Sequence, residues 1–134
     1  VREGSRAALL CYGARLTVCL EAARALSQDG VEVSVADARF AKPLDEDLIR
    51  QLMRHHEAVI TVEEGSIGGF GSFVQQFALG AGLLDSGRCR LRSLVLPDVF
   101  QDHDTPEAQY AQAGMDAARL QTCVHRLLNA GDCP

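Results

Sequence analysis

The residues with the clearest potential for chemistry lie in one segment, residues 58–73, which reads AVITVEEGSIGGFGSF. An apolar stretch ends at Glu63 and Glu64, and four glycines follow within seven residues before a helical pattern begins. Neighbouring carboxylates can work as an acid/base pair, and the amides at a helix start can bind an anion. Glycine also lets a ligand or another backbone approach closely because it has no Cβ. The segment therefore predicts a crowded strand-to-helix junction.

The common phosphate-binding patterns do not fit this junction. A Walker loop has Lys and then Ser or Thr after its last glycine, whereas Ser72 follows Gly71 directly. Val74 stands where a dinucleotide loop has its third glycine, and the two glutamates place negative charge where an anion would sit. Two hypotheses stay open. The Gly65–Ser72 turn either binds an anion or nucleotide, or is a tight turn that packs against a neighbouring domain.

Other polar and aromatic residues near this segment each allow two interpretations. Successive strand residues point to opposite faces, so a salt bridge or a helix-cap contact suits Glu63 and Glu64 better than a shared proton. Phe70 could enter a pocket of a partner or pack beneath its own loop. His103 could reach a substrate channel or order its loop. Asp37, Arg39 and Lys42 could form a charge network between domains or belong to a solvated loop.

Composition excludes several classes of function. The chain has 134 residues, 14.5 kDa and a formal net charge of −5, which suits one domain without a basic face for nucleic acid or anionic membrane. No apolar run approaches the roughly 20 residues that span a bilayer, and charges near the amino terminus do not resemble a signal peptide. We therefore expect a cytoplasmic protein. The five cysteines lack any CxxC spacing and indicate neither a disulfide framework nor a zinc site.

Hydrophobic periodicity predicts alternating strands and helices. The predicted strands are Ala7–Tyr12, Val31–Val35, Ala58–Val62 and Leu91–Leu96. The predicted helices begin near Leu16, Asp45, Ser72, Thr105 and Asp116, with Gly114 ending the fourth. This order predicts one α/β/α sandwich over residues 1–134, built on a mostly parallel sheet. Its polar loops would gather at the carboxyl ends of the strands, where such sheets meet ligands and partners.

Three segments carry a resemblance to a known family. They are VADARFAKPLDEDLIRQL at 35–52, ITVEEGSIGGFGSFV at 60–74 and LVLPDVFQDHDTPEAQYAQAGMD at 94–116. Together they resemble the C-terminal domain of the 1-deoxy-D-xylulose-5-phosphate synthases, thiamine diphosphate enzymes of the transketolase superfamily. The resemblance runs nearly end to end and implies a three-layer sandwich with about five strands. One departure is that Asp104 follows His103 where the family usually has glycine.

The resemblance implies a role for the chain within a larger enzyme. The parent would condense pyruvate with glyceraldehyde 3-phosphate, losing carbon dioxide, in non-mevalonate isoprenoid, thiamine and pyridoxal synthesis. Its cofactors, thiamine diphosphate and Mg²⁺, would be bound by other domains, so no catalytic, cofactor or metal residue is expected here. The chain would pack against those domains and across a homodimer. The candidate interdomain contacts are Asp37, Arg39, Glu63, Glu64, Gly68, Gly69, Phe70, Gly71 and His103.

Overall fold

Strands and helices alternate along the chain, as the periodicity predicts. The computed structural model describes residues 6–13, 15–38, 44–64, 69–96 and 106–129, with backbone alone for 106–114. Its elements are β1 (Ala7–Cys11), α1 (Leu16–Gln28), β2 (Val33–Asp37), α2 (Glu46–His55), β3 (Ala58–Glu64), α3 (Phe70–Gly80), β4 (Arg90–Leu96) and α4 (Pro106–Asn129).

The strands form one parallel sheet in the order β2-β1-β3-β4. Leu9 of β1 is in register with Val35 on one side and Ile60 on the other, so these strands end at the same edge. The resemblance implied about five strands, whereas the described residues contain four. The parallel α/β class itself is confirmed.

Two apolar clusters make the fold a three-layer sandwich. One face of the sheet packs against α1 and α4, with Leu9, Leu26 and Leu127 fully buried. The opposite face packs against α2 and α3, where Leu10 and Val74 are fully buried. Strands covered on both faces read as continuous apolar runs, which explains the unbroken burial of β1 and β3.

The helix boundaries show where local signals prevail and where packing overrides them. Asp45 caps α2 as predicted, since its Oδ1 accepts a hydrogen bond from the Leu48 amide at 3.1 Å. In contrast, α4 continues through Gly114, and Asp116 is a buried residue within the helix rather than the cap of another. A helical glycine costs only about 1 kcal/mol relative to alanine. Burial of Leu120 and Val124 later in the same helix offsets such a cost.

The third strand and helix approach each other more closely than expected. β3 continues to Glu64, two residues beyond its predicted end, and α3 starts at Phe70 instead of Ser72. Both glutamates therefore belong to the strand. Separately, among the residues that the structure describes, no helix is long and apolar enough to cross a membrane.

A polar contact joins α1 to α4 at the surface and has a defined pH dependence. Asp29 accepts hydrogen bonds from Gln121 at 2.7 Å and from His125 at 3.1 Å when Nε2 carries a proton. The His125 and Gln121 hydrogen bonds lower the pKa of Asp29 below its ordinary value of 3.8.

We expect the stabilisation by Asp29 to be present above about pH 4 and to disappear as the pH falls through the lowered pKa. Urea unfolding of the wild type and of Asp29→Asn should therefore differ more at pH 6 than at pH 3. An equal difference at the two pH values would contradict this assignment. Asp85→Asn, which changes an exposed carboxylate elsewhere, is the control.

Candidate functional site

At the glycine-rich junction, a carboxylate of the same chain binds the start of α3. Gly69 is the N-cap of α3 and has a φ of +88°, a conformation that side chains disfavour. Two residues later, the Gly71 amide donates a hydrogen bond of 2.6 Å to Oε2 of Glu63. Glu63 is only 2% exposed, so its carboxylate lies inside the junction. A helix start attracts negative charge, and here the protein's own side chain supplies it.

Gly71 is required by close approach to the sheet. A Cβ at this position would lie 2.5 Å from Ser93 Oγ and 2.9 Å from Thr61 Oγ1, distances that real Cβ atoms do not show. The crowding predicted for this turn is therefore produced, at Gly71, by the chain's own strands β3 and β4. The helix start rests directly on the sheet.

Small hydroxyl groups make that close approach possible. Thr61 donates a hydrogen bond to Ser93 Oγ at 2.8 Å, and Gln75 of α3 donates to the same oxygen at 2.8 Å. Thr61 is fully buried, and its hydroxyl is satisfied by this contact. The small side chains of Thr61 and Ser93 thus let α3 pack directly on the sheet, where larger side chains would hold the helix away.

Phe70 belongs to the interior of the chain. Its ring is 1% exposed and stacks on Tyr12, with 5.0 Å between the ring centroids and 17° between the planes. Of the two interpretations of Phe70, packing within its own domain describes this environment.

Glu64 faces the other side of the sheet, toward α1. Its Oε1 lies 3.3 Å from NH2 of Arg15, whose side chain is fully buried at the N-cap of α1. The structure thus separates the two glutamates, with one in a cap contact and the other in a salt bridge. This arrangement is the one favoured by the sequence over shared-proton chemistry.

The remaining candidate residues do not converge on a single centre. Asp37 is half-buried at the end of β2, and β1 lies between it and the glutamates. Gly69 is exposed. Arg39, Gly68 and His103 lie outside the described residues, and the predictions for them stay predictions. Glu63, Glu64, Phe70 and Gly71 are turned inward, so any influence they have on a neighbouring domain passes through the shape of the junction.

The free thiols of the described residues are poor nucleophiles. Burial raises the pKa of Cys89 to about 11. The hydrogen bond with Cys11 and burial raise the pKa of Cys19 well above its ordinary value. The same hydrogen bond lowers the pKa of Cys11, but Cys11 is fully buried between the sheet and α1. None of these sulfurs is presented to a substrate.

The chemistry of the junction does not fit a diphosphate with its magnesium ion. The Gly71 amide already binds a carboxylate, and the buried negative charge of Glu63 would oppose a phosphate at the same helix start. Within the described part of the chain, no three His, Cys, Asp or Glu side chains form a group suited to a metal ion. The junction is therefore arranged to fix α3 on the sheet.

Sequence reasoning missed three residues that complete the junction. Arg15 carried no motif, although a charged residue between a buried strand and an apolar helix is a weak signal for a buried ion pair. Thr61 and Ser93 read as ordinary strand residues. Their role depends on the pairing of β3 with β4, which places the two residues opposite each other.

Comparison with known proteins gives a family and a structural relative. The sequence profile described as "Transketolase, C-terminal domain" matches residues 1–120. A solved structure described as "Split gene transketolase, inactive beta4 tetramer" is similar, with a TM-score of 0.70 and 29% sequence identity. The alignment covers 98% of this chain and 42% of that one, so the chain spans less than half of the relative's length.

Gly71→Ala should destabilise the fold by about 1–3 kcal/mol, because the added methyl group must displace Ser93 or lift α3 from the sheet. Gly80→Ala is the matched control, since a Cβ at this exposed helical position meets nothing within 4 Å. It should be neutral or stabilising by up to about 1 kcal/mol. Urea unfolding measures both. Equal effects of the two substitutions would show that close approach at Gly71 is unimportant.

Arg15→Met should destabilise the fold by about 3–5 kcal/mol, because it removes a fully buried guanidinium that lies 3.3 Å from Glu64. Arg6→Met is the control, since Arg6 and Glu57 form an ion pair 3.1 Å apart with side chains 43% and 58% exposed. Its effect should stay within about 1 kcal/mol. In a double-mutant cycle, Glu64→Gln should cost less in the Arg15→Met background than in the wild type. Additive effects would argue against coupling of the pair.

Proposed function

Because this chain belongs to the transketolase C-terminal domain family, we propose that it is the C-terminal structural domain of a 1-deoxy-D-xylulose-5-phosphate synthase. The DARF-x-KPLD, EEG-x-x-GGFGS and LPD segments support this member of the superfamily over others. The parent enzyme would join pyruvate to glyceraldehyde 3-phosphate with loss of carbon dioxide. It would supply the deoxyxylulose phosphate used in non-mevalonate isoprenoid, thiamine and pyridoxal synthesis.

The observation that carries the noncatalytic role is the hydrogen bond between Gly71 and Glu63. It occupies the helix start that the alternative hypothesis, an anion or nucleotide-binding module, would use. Thiamine diphosphate, when bound by the other domains with Mg²⁺, would supply the carbanion chemistry of the parent. The residues of this chain would contribute a rigid surface at the carboxyl edge of the sheet.

We propose that this edge packs against the middle domain and across a homodimer. Asp37 and Gly69 are the described candidates that keep solvent exposure there, while Glu63 fixes the start of α3 next to Gly69. The structural relative is itself described as a tetramer of a split gene product, and association between separate chains is in line with the proposal. We also propose that the parent enzyme is cytoplasmic, in agreement with the net negative charge of this chain.

A domain-exchange experiment tests the assignment to the synthase. Residues 1–134 replace the C-terminal domain of an intact 1-deoxy-D-xylulose-5-phosphate synthase and, in parallel, that of a transketolase. We expect the synthase hybrid to retain deoxyxylulose phosphate formation, measured by coupled assay, and the transketolase hybrid to lose its ketol transfer. The truncated enzymes without the domain are the controls. Activity of the transketolase hybrid alone would overturn the assignment.

The chain by itself should form no product from pyruvate and glyceraldehyde 3-phosphate, even with thiamine diphosphate and Mg²⁺ added. Product formation that scales with its concentration would refute the structural role.

Calorimetric titration with a nucleotide tests the alternative. Saturable binding that Gly69→Val abolishes would favour the module at the Gly65–Ser72 turn, and the absence of any binding that depends on Gly69 would favour the structural domain.

A further inference from the structure

The amino-terminal end of the sheet, away from the glycine-rich junction, carries a cavity of about 270 Å³ lined by three arginines. Arg50 lies in the middle of α2 and Arg54 in its last turn, and Arg88 comes from the connection between α3 and β4. We call this the arginine pocket. We infer that the arginine pocket binds a small phosphate-bearing anion.

The charge of the pocket is unusual for this chain. The net charge is −5, with 18 acidic residues in the chain, yet three arginines line one cavity. Among the ion pairs of the described residues, none involves Arg50, Arg54 or Arg88. Asp85 is a nearby carboxylate, at the Gly82 rim of the pocket. The lining itself contains three arginines and no Asp or Glu, and a bound anion would neutralise this excess of positive charge.

Part of the pocket wall is already held in place by contacts within the chain. The guanidinium carbon of Arg50 lies 5.1 Å from the centre of the Phe77 ring, a cation–π contact that holds the group in place. His56 forms part of the wall and is fixed at both ring nitrogens, with Nδ1 2.8 Å from the Leu52 carbonyl and Nε2 2.8 Å from Ser34 Oγ. Binding would therefore order mainly the exposed side chains of Arg54 and Arg88.

The lining selects the chemical class of the ligand. Guanidinium groups match phosphate oxygens with two parallel N–H donors, and three of them suit more than one negative charge. Ser86 adds a hydroxyl that accepts from the Arg88 amide at 3.3 Å and keeps its own hydrogen for a ligand. The buried side chains of Met53 and Cys89 form an apolar floor. The volume suits a diphosphate or a small phosphate monoester.

A purely structural role explains only part of the arginine pocket. Arg54 lies in the last turn of α2, where a cation complements the helix dipole. That explanation does not extend to Arg88, which is exposed in a connection and whose charge would repel the other two. A bound anion accounts for all three arginines together. This inference is independent of the synthase assignment.

Isothermal titration of the full chain with inorganic pyrophosphate tests the inference at low ionic strength. We expect saturable binding with one site per chain. Arg88→Gln and Arg54→Gln should each weaken it by about tenfold or more, since each removes a charge-assisted contact. Arg119→Gln, an equal charge change at an exposed position of α4, should alter the affinity less than about twofold, in line with a distant surface charge.

Two further titrants identify the ligand more closely. Glycerol 3-phosphate binding more tightly than pyrophosphate would indicate a phosphate monoester, and the reverse order would indicate a diphosphate. Citrate binding as tightly as both would overturn selectivity for phosphate. Three results would overturn the site itself. The first is that pyrophosphate shows no saturable binding, and the second is that Arg119→Gln and Arg88→Gln weaken its binding equally. The third is that only Gly69→Val weakens its binding.

A measurement on the wild-type chain does not depend on any variant folding correctly. Phenylglyoxal modifies accessible arginines, and mass spectrometry locates the modified positions. Pyrophosphate should slow modification of Arg54 and Arg88 but not of Arg119. Uniform modification with and without pyrophosphate would contradict the inference, whereas the synthase assignment is decided by the domain-exchange hybrids alone.

Discussion

The contact on which the site depends is the hydrogen bond from the Gly71 amide to the buried carboxylate of Glu63. It fixes the start of α3 above the end of β3, and the lack of a side chain at Gly71 allows the helix to touch Thr61 and Ser93. A helix start without such a partner would present free amides and attract an external anion. In this chain the Glu63 carboxylate provides the negative charge that the helix start attracts.

This internal contact accounts for the start of α3 without a bound ligand, in agreement with the proposed structural role. The glycines predicted crowding, and two of them are now explained by different constraints. Gly69 supplies a positive φ at the N-cap, while Gly71 supplies the space for close packing on the sheet. Neither constraint requires a ligand. The Gly71 contacts fix the start of α3 on the sheet, and a fixed helix start suits the proposed packing against a neighbouring domain.

The two ends of the sheet therefore differ in character. At the carboxyl edge, charges are buried and paired within the chain, as Arg15 and Glu64 show. At the amino end, Arg50, Arg54 and Arg88 surround a cavity with little compensating charge. Buried charges are costly unless they are paired, whereas exposed charges can persist in excess because water screens them. The first arrangement favours fixed packing, and the second favours a site that an anion can occupy.

The sequence by itself determined the α/β class, the order of the elements and the position of the junction. Apolar runs, helical spacing and caps such as Asp45 are local properties, and local geometry is enough to read them. The sequence also indicated that Glu63 and Glu64 would face opposite sides of the sheet, since alternation is fixed by strand geometry.

Only the tertiary structure decided which groups those side chains meet. The continuity of α4 through Gly114 depends on burial of a distant helical face, which outweighs a local helix-stop signal. The roles of Arg15, Thr61 and Ser93 depend on strand pairing and layer packing. The same packing brings Arg88, from the α3–β4 connection, to the cavity that Arg50 and Arg54 of α2 line. Such contacts join residues far apart in the chain, and no local spacing encodes the distance between them.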